Sequence, residues 1–430
     1  MMGIPEKLKE NKFFKNTSWL VIERVAEMVI TLLIGAFTNR YLGPEKYGLI
    51  NYGLSFIAIF TFIANLGLDG IVISYLVRDK DNEGNIIGSS ILMRLISGLV
   101  SIFLVYCTVR LFEPGDRLLL TISIIQSISL IFKSFEIIDI WFQSTLSSRN
   151  AVIAKIAASL LVAAYKLVLI ITVKSVEWFA FAVVVQSIVI AVVLSILYFK
   201  KGGKQWSVSY RTCGKLLTKS HHFILSGMIM VIYTQMDKIM IGKLLNSTQV
   251  GYYSASMAIA QLWYFIPNAV INSARPVIVS AKLEDEKEYK NKLIKLFAFI
   301  IFSGIIVSIG ITIFSKLIII ILYGKDYLPA AAPLVINVWA GIFALLGVAR
   351  DIWYISEDKM KYAKTFITCG AIINITLNAV LIPQIGINGA AIATLITQVA
   401  VCFVIPLFFK GTREISVLMV KSLDVRRLFK

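Results

Sequence analysis

The feature that most constrains this chain is a series of long apolar stretches, each about the length of a helix that crosses a bilayer. A membrane-spanning helix needs roughly 20 mostly apolar residues. The 430 residues are 58% hydrophobic and 16% charged, whereas soluble globular chains carry about 25% charged residues. A single core in water would not bury this much apolar surface, so the sequence predicts an all-α membrane protein. About twelve spans are predicted, at roughly 17–39, 48–76, 87–110, 118–141, 151–173, 177–199, 222–243, 250–274, 294–320, 329–352, 362–382 and 387–409.

The basic residues predict how these spans are oriented, because Lys and Arg concentrate in cytoplasmic loops. With the N-terminus inside, most of the 43 Lys and Arg residues fall in segments on the cytoplasmic side. Both termini are therefore predicted to be cytoplasmic. We interpret the formal charge of +18 as a topology signal and a contact with anionic membrane lipids, and not as a nucleic-acid-binding surface.

The longest basic connection divides the predicted spans into two groups of six. We therefore predict an N-terminal lobe over 1–199, a basic cytoplasmic linker over 200–221 and a C-terminal lobe over 222–409. Residues 410–430 are too short and too charged to span, and their pattern favours an amphipathic cytoplasmic tail on the membrane surface.

A short repeat supports this division. Arg40-Tyr-Leu42 followed by Gly48 recurs as Lys243-Leu-Leu245 followed by Gly251. Each copy follows the first predicted span of its half. An even number of spans in each half would give the two halves the same orientation, as in parallel repeats.

Five basic residues of the first half lie inside predicted spans, where a charge costs roughly 2.5–3.5 kcal/mol at mid-helix. They lie on stripes of polar residues at helical spacing, and we expect these stripes to converge on a water-filled cavity. Glu27, Glu136 and Asp139 lie on the same stripes and leave a positive surplus, which suits a phosphate-bearing substrate. The predicted substrate-binding residues are Arg24, Arg94, Lys133, Lys155 and Lys166.

Internal ion pairing is an alternative for two of these cations. Arg24 and Lys133 each have an acidic residue three positions further along the same helix, close enough to pair. Arg94 and Lys155 have no acidic residue nearby on their own helices, so the cavity is favoured for them. Lys166 lies toward the outer end of its span and could extend to the membrane surface.

The second half is poorer in charge and offers four polar candidates, namely Gln235, Asp237, Asn374 and Asn378. Hydrogen bonding between helices is the alternative role for these residues.

Nothing in the sequence indicates catalysis, a metal site or a cofactor. The four cysteines and two histidines lack the spacing of metal ligands, and Lys201-Gly-Gly203-Lys204 lacks the spacing of a P-loop. Transport driven by an H⁺ or Na⁺ gradient, or by the substrate gradient, is therefore preferred to ATP hydrolysis. Glu27, Glu136 or Asp139 would be the ion-coupling carboxylates, because protonation of a semi-buried acid is a simple switch.

Several short motifs, in order along the whole chain, carry a resemblance to a known family. They are Arg40-Tyr-Leu-Gly-Pro-Glu-Lys-Tyr-Gly48, Glu136-Ile-Ile-Asp139-Ile-Trp141-Phe-Gln143, Gln235-Met-Asp237-Lys-Ile-Met-Ile-Gly242, Gly251-Tyr-Tyr-Ser-Ala255, Tyr323-Gly-Lys-Asp-Tyr327 and Gly386-Ile-Asn-Gly389-Ala-Ala-Ile-Ala-Thr394. With these motifs the chain resembles the polysaccharide-transporter family of the multidrug/oligosaccharidyl-lipid/polysaccharide (MOP) exporter superfamily. Its members are the Wzx-type flippases of O-antigen or capsule repeat units.

The resemblance implies two six-helix lobes in a MATE-like V, with a cationic cavity mostly in the first lobe. It implies an undecaprenyl-diphosphate-linked oligosaccharide as substrate, moved from the inner to the outer leaflet of the bacterial cytoplasmic membrane by alternating access. A polysaccharide polymerase and a chain-length regulator are further implied partners. In one departure, Gln143-Ser-Thr-Leu stands where family members often have Gln-Gly-x-Glu, so no role for an acid there is carried over.

Three other functions are weighed against this one. A cation-coupled drug exporter of the same superfamily would require an acidic, aromatic cavity. A membrane glycosyltransferase or polymerase would usually bring a large outer loop, and all outer loops predicted here are short. A purely structural membrane protein would leave the repeated polar stripes unexplained.

Overall fold

The computed structural model describes residues 6–424, without the side chains of residues 6–18, 20, 222, 225 and 226. Every regular element in this part of the chain is a helix, which confirms the all-α prediction. Nine helical stretches within it are long and apolar enough to cross a membrane, so the chain is a multi-pass membrane protein. The count of twelve spans and the cytoplasmic position of the termini stay predictions.

The helices follow one another with short connections. In chain order they are α1 (Glu6–Asn65), α2 (Asp69–Arg78), α3 (Glu83–Phe112), α4 (Arg117–Ser127), α5 (Ser129–Lys133), α6 (Ile137–Ser144), α7 (Arg149–Ile171), α8 (Val176–Lys200), α9 (Tyr210–Leu244), α10 (Ser247–Ala260), α11 (Phe265–Glu284), α12 (Glu286–Tyr323), α13 (Ala331–Ser356), α14 (Met360–Ile385), α15 (Ile387–Val399), α16 (Ile405–Phe408) and α17 (Arg413–Lys421). Short 3₁₀ turns occur at Ser134–Glu136, Leu262–Tyr264 and Lys325–Ala330, and a π-helical turn occurs at Ala400–Val404.

The first two predicted spans form one long helix with a kink. The apolar stretch Val21–Arg78 has 58 residues, or about 87 Å at 1.5 Å per residue, nearly three times the hydrocarbon thickness of a bilayer. Gly43, with φ of 72°, breaks the helical geometry before Pro44. A second break follows α1 at Leu66 and Gly67, which both have positive φ. The predicted span 48–76 therefore comprises the end of α1 and most of α2.

The chain packs into two compact units. The first contains the described residues up to Leu42 together with Leu49–Val231, and the second contains Gly43–Gly48 and the residues from Ile232 onward. The division between the units therefore lies within α9, and not in the predicted linker 200–221. That linker is helical from Tyr210.

The non-helical part of the basic connection is fixed against the first unit. The hydroxyl of Tyr198 lies 2.9 Å from Glu83 Oε1 and 2.8 Å from the carbonyl oxygen of Lys204. The backbone N–H of Lys204 donates to the same Glu83 oxygen at 3.1 Å. These bonds join the start of α3, the end of α8 and the connection. Tyr198 is also packed against Trp141, with ring centroids 4.8 Å apart, in the core of this unit.

The two copies of the sequence repeat meet inside the second unit. A Cβ atom on Gly48 would lie 1.7 Å from the carbonyl oxygen of Ser247, and one on Gly251 would lie 2.0 Å from that of Pro44. Real Cβ atoms do not approach other atoms this closely, so both glycines are required by the contact between the two backbones. The repeat thus marks a helix-to-helix contact as well as an internal similarity.

Within the predicted tail, the short helix α17 packs against protein. Ile415, Leu418 and Met419 of α17 are buried in the core of the second unit. The amphipathic pattern of this segment therefore serves packing against protein, and its position at the membrane surface stays a prediction. Residues 425–430 of the predicted tail lie outside the described residues.

Candidate functional site

The first unit contains a cluster of charged side chains within its apolar helices, which we call the charged cluster. Its central residue is Lys155 on α7, whose Nζ lies 2.7 Å from Asp139 Oδ2 and 3.0 Å from Glu23 Oε1. Asp139 Oδ2 also accepts a hydrogen bond from Gln143 Nε2 at 3.3 Å. The three charged side chains are 12–20% exposed, so water and ligands have limited access to them.

Arg94 on α3 forms the other ion pair of the cluster. Its guanidinium pairs with the carboxylate of Asp69, at the start of α2. The Arg94 side chain is 3% exposed, while that of Asp69 is 66% exposed. The buried Nε of Arg94 has no hydrogen-bond partner among the described residues, so the guanidinium is only partly satisfied.

Two further carboxylates lie within electrostatic range of these pairs. Glu27 interacts with Lys155 and Arg24, and Glu136 interacts with Lys133, Lys155 and Arg94. The structure thus brings Arg24, Arg94, Lys133, Lys155, Glu27, Glu136 and Asp139 within electrostatic range of one another or of a shared neighbour. Their roles in binding and coupling stay predictions.

Ion pairing within one helix, the alternative considered for two of the cations, is not seen. Arg24 and Lys133 form no ion pair with a residue that the structure describes. Arg94 and Lys155, which have no acidic residue nearby on their own helices, both pair with acids from other helices. Spacing along one helix does not reveal partners that tertiary packing supplies.

Glu23 and Asp69 also change the expected charge balance. The positive surplus was counted with Glu27, Glu136 and Asp139 as the only acids. With the two additional carboxylates the cluster holds five acids and four cations, because Lys166 lies apart from it, and the predicted positive surplus is absent. Glu23 adjoins Arg24, and Asp69 opens a helix after the Leu66–Leu68 break, but neither lies on the polar stripes used for the prediction.

An irregular helix presents part of the cluster. The predicted span 118–141 is interrupted after α4 and again by the 3₁₀ turn Ser134–Glu136. Mid-helix 3₁₀ turns often mark strain or a hinge. Glu136 ends this turn and Asp139 lies in the first turn of α6, so the irregular segment supplies both carboxylates.

Lys166 does not join the charged cluster. It lies further along α7 and is desolvated, with no described charged group in electrostatic range. Of the five predicted cations, it is the one placed apart.

The second unit contains a different polar centre, which we call the Asp237 network. Asp237 on α9 accepts three hydrogen bonds: from Tyr253 Oη at 2.6 Å, from Thr394 Oγ1 at 2.7 Å and from Asn378 Nδ2 at 2.7 Å. Asn378 Nδ2 also donates to Asn374 Oδ1 at 3.0 Å. Both asparagines and Asp237 are buried.

The Asp237 network contains three of the four predicted polar residues of the second half. Gln235 makes no hydrogen bond to a described residue and stays outside it. Tyr253 and Thr394 were missed as site residues, although both occur in motifs that carry the family resemblance. The signal that could have identified them is a hydroxyl-bearing residue in a family motif, on a helix that packs beside a buried carboxylate.

The Asp237 carboxylate forms no ion pair with any described Lys or Arg side chain, although Lys238 adjoins it in sequence. Asn378 Oδ1 is buried and accepts no hydrogen bond from any residue that the structure describes. Together with the oxygens of Asn374 and Thr394, these groups provide the carboxylate, carbonyl and hydroxyl oxygens that hard cations prefer. They could equally hold a proton on Asp237. Among the described residues, no group of three or more His, Cys, Asp or Glu side chains could hold a metal ion.

The chain matches one protein family over most of its length. A family model described as polysaccharide biosynthesis protein matches residues 38–332.

Two curated relatives come from the archaeon Haloferax volcanii. One, described as the probable flippase AglR, is 27% identical over 181 residues, which cover 39% of this chain and 36% of the relative. The other, described as the probable low-salt glycan biosynthesis flippase Agl15, is 24% identical over 193 residues, which cover 43% of this chain and 40% of the relative. The chain thus spans less than half the length of the curated relatives it matches.

Solved structures share the fold over nearly the whole chain. An inward-facing multidrug resistance MATE family transporter of the MOP superfamily has a TM-score of 0.72 at 14% identity, covering 94% of this chain and 99% of that one. The lipid II flippase MurJ, in an inward closed conformation, has a TM-score of 0.66 at 18% identity, covering 94% and 92%. At these identities the likeness concerns the fold alone.

Proposed function

The chain belongs to the polysaccharide biosynthesis protein family, whose model matches residues 38–332, and we propose on that basis that it is a flippase for a lipid-linked glycan. The descriptions of the two curated relatives as probable flippases support this proposal. The fold it shares with MurJ and with MATE transporters supports transport rather than catalysis.

The observation that carries the proposal is the charged cluster. A cation within a bilayer needs a partner, and Lys155 and Arg94 have carboxylate partners in this structure. Phosphate oxygens accept the same charge-assisted hydrogen bonds as carboxylates. A phosphate can therefore replace Glu23 or Asp69 without leaving either cation uncompensated. Such an exchange of partners allows a substrate to bind and also to leave.

The substrate we propose is an undecaprenyl-diphosphate-linked oligosaccharide, a repeat unit of O-antigen or capsule. Its movement from the inner to the outer leaflet of a bacterial cytoplasmic membrane would precede the work of a polysaccharide polymerase and a chain-length regulator. Within the cluster, the diphosphate would bind to Arg94 and Lys155, because their carboxylate partners can be displaced. Arg24 and Lys133 would add attraction at longer range.

Asp237 is the residue that would bind the coupling ion, H⁺ or Na⁺. Glu27, Glu136 and Asp139 are the carboxylates favoured by the sequence, but Asp139 already neutralises Lys155. Asp237 has only neutral hydrogen-bond donors around it. A buried carboxylate that forms no ion pair gains most from binding a proton or a small cation.

Export of small cationic molecules is the second candidate. It is favoured by Glu23 and Asp69, which remove the positive surplus expected from the sequence. A drug exporter would confer resistance on an efflux-deficient strain and would not move a diphosphate lipid.

The test is a flipping assay in proteoliposomes with a fluorescent undecaprenyl-diphosphate glycan. Lys155→Gln should reduce the flipping rate at least tenfold, and Lys155→Arg should retain most of it. Lys166→Gln is the matched control, because it removes a cation from the same helix outside the cluster. Equal rates for Lys155→Gln and the unsubstituted protein, at equal amounts in the membrane, would refute the proposed site. The rate should also depend on pH or Na⁺, and Asp237→Asn should abolish that dependence.

A further inference from the structure

A cavity of about 520 Å³ opens between α2 and the first half of α9, entirely within the first unit. This volume falls in the range of small-molecule sites, about 300–1,000 Å³. We call it the α2–α9 cavity. Its lining includes the basic side chains of Arg78 and Lys219, the rings of Tyr75 and Phe223, and the hydroxyl of Ser74. None of these residues belongs to the charged cluster.

The two basic residues of the cavity lack the compensation found in the cluster. Arg78 and Lys219 form no ion pair with a carboxylate in the part of the chain that the structure describes. Lys219 Nζ instead lies 5.1 Å from the centre of the Tyr75 ring, a cation–π contact that leaves its charge unneutralised. Both cations are exposed.

One carboxylate, that of Asp79, also lines the cavity. It is occupied by the turn that follows α2, because it accepts hydrogen bonds from the side chain and the backbone N–H of Asn82 at 2.7 and 3.3 Å. The cavity therefore presents two available cations against one engaged acid. An anion is the ligand that this arrangement attracts.

The remaining lining shows that the anion would be amphipathic. Ile71 and Phe223 face the cavity, and the Phe223 side chain is 59% exposed. Arg78 ends the apolar stretch Val21–Arg78, so a basic side chain here adjoins a long apolar surface. A ligand here can place a phosphate on Arg78 and Lys219 and apolar carbons against Phe223.

The backbone is shaped to keep the cavity open. Gly67 has φ of 59°, and a Cβ on this residue would lie 2.9 Å from Phe223 Cβ. Glycine is the residue that adopts this conformation without strain. A side chain at position 67 would push α9 away from the wall of the cavity.

We propose that the α2–α9 cavity binds the phosphate headgroup of a membrane lipid, and that this lipid is the polyprenyl diphosphate part of the substrate before it reaches the charged cluster. The identity of the lipid rests on the proposed function, whereas the phosphate site itself does not. The site is joined to the cluster by one short helix. Asp69, the partner of Arg94, begins α2, and Arg78 ends it, about 13 Å away at 1.5 Å per residue.

This geometry gives the exposed Asp69 a specific role. A diphosphate held by Arg78 and Lys219 lies one helix length from the Asp69–Arg94 pair, and after leaving the cavity it can compete with Asp69 for the guanidinium. The cavity would therefore raise the local concentration of substrate beside the first cation of the cluster.

The test measures binding to the full chain in detergent micelles by native mass spectrometry. The three probes are undecaprenyl diphosphate, phosphatidylglycerol and inorganic pyrophosphate. Arg78→Gln and Lys219→Gln should each weaken binding of undecaprenyl diphosphate about tenfold, which corresponds to about 1.4 kcal/mol. Arg78→Lys should restore most of the affinity. Lys80→Gln and Lys215→Gln are matched controls, because both remove nearby exposed cations that do not line the cavity.

Each outcome separates the possibilities. An equal loss of phosphatidylglycerol binding in the two cavity variants would support the phosphate site and assign it to anionic lipids in general. If the two cavity variants lost affinity only for pyrophosphate, the result would support phosphate recognition by Arg78 and Lys219 without a role for Phe223. Unchanged affinity for all three probes in both cavity variants would overturn the proposal.

Flipping assays separate this inference from the proposed function. Normal binding with no flipping by the unsubstituted protein would refute the flippase proposal and leave the site intact. Flipping at the normal rate, by cavity variants whose binding is unchanged, would refute the site and leave the flippase proposal intact.

Discussion

The charged cluster of the first unit and the Asp237 network of the second unit meet the cost of polar groups in a bilayer in different ways. In the cluster, Lys155 and Arg94 are neutralised by carboxylates from other helices. In the network, one carboxylate is surrounded by neutral hydroxyl and amide donors. The first arrangement can exchange one anion for another, and the second can take up a proton or a small cation.

The difference also concerns how much each arrangement loses when one member is removed. Removing one partner from a buried ion pair leaves an uncompensated charge. Removing one hydrogen-bond donor from a shared carboxylate leaves the remaining donors in place. The two regions should therefore respond to substitution on different scales.

The largest effect is expected for Lys155→Met. This change leaves Asp139 and Glu23 without their cation and should lower the free energy of unfolding by about 3–5 kcal/mol. Chemical unfolding in detergent micelles measures it, and Lys155→Arg, which keeps the charge, is the control. A loss below about 1 kcal/mol would show that the cluster does not depend on this pair.

A smaller effect is expected for Asp237→Ala. It leaves the donors of Tyr253, Thr394 and Asn378 without their shared acceptor, and an unsatisfied buried group costs about 1–3 kcal/mol. The same unfolding measurement tests it, and Asp237→Asn, which keeps an acceptor oxygen, should lose less. A loss larger than that of Lys155→Met would contradict the distinction between the two regions.

The sequence was sufficient to predict the all-α class and most members of both centres. The length of apolar stretches and the cost of a charge within a membrane do not depend on tertiary packing, so Lys155, Arg94 and Asp237 could be predicted as site residues from the sequence. The residues that pair with them could not be predicted in this way. Glu23 reaches Lys155 from another helix, and such contacts have no signature in helical spacing.

The helix ends were also harder to predict than the helices themselves. Tyr210 begins α9 within a segment whose Lys and Arg content suggested a loop, because basic residues are good helix formers as well as cytoplasmic markers. The apolar residues of α17 fit a membrane surface and a protein core equally well. Only packing decides between these, and Ile415 lies in the core of the second unit.

A third prediction concerns a single bond of the Asp237 network. Tyr253→Phe removes the hydroxyl that donates to Asp237 Oδ2 at 2.6 Å and leaves Thr394 and Asn378 bound to the carboxylate. The loss of unfolding free energy should be about 1.5 kcal/mol, the lower end for a bond to a charged group. Tyr252→Phe is the control at the neighbouring position of the same helix. An equal loss in both variants would indicate that the ring position, and not the bond, is responsible.

The smallest expected effect has the opposite sign. Lys166 is part-buried on α7 and forms no ion pair with a described residue. Lys166→Met replaces this cation with an unbranched apolar side chain and should raise the free energy of unfolding by about 1 kcal/mol, because an unpaired charge within a bilayer is costly. Lys155 lies about three helical turns away on the same helix, at 3.6 residues per turn. The same substitution at Lys155 should strongly destabilise the protein. If Lys166→Met lowered stability as much as Lys155→Met, Lys166 would have a partner of its own, and the charged cluster would extend along α7.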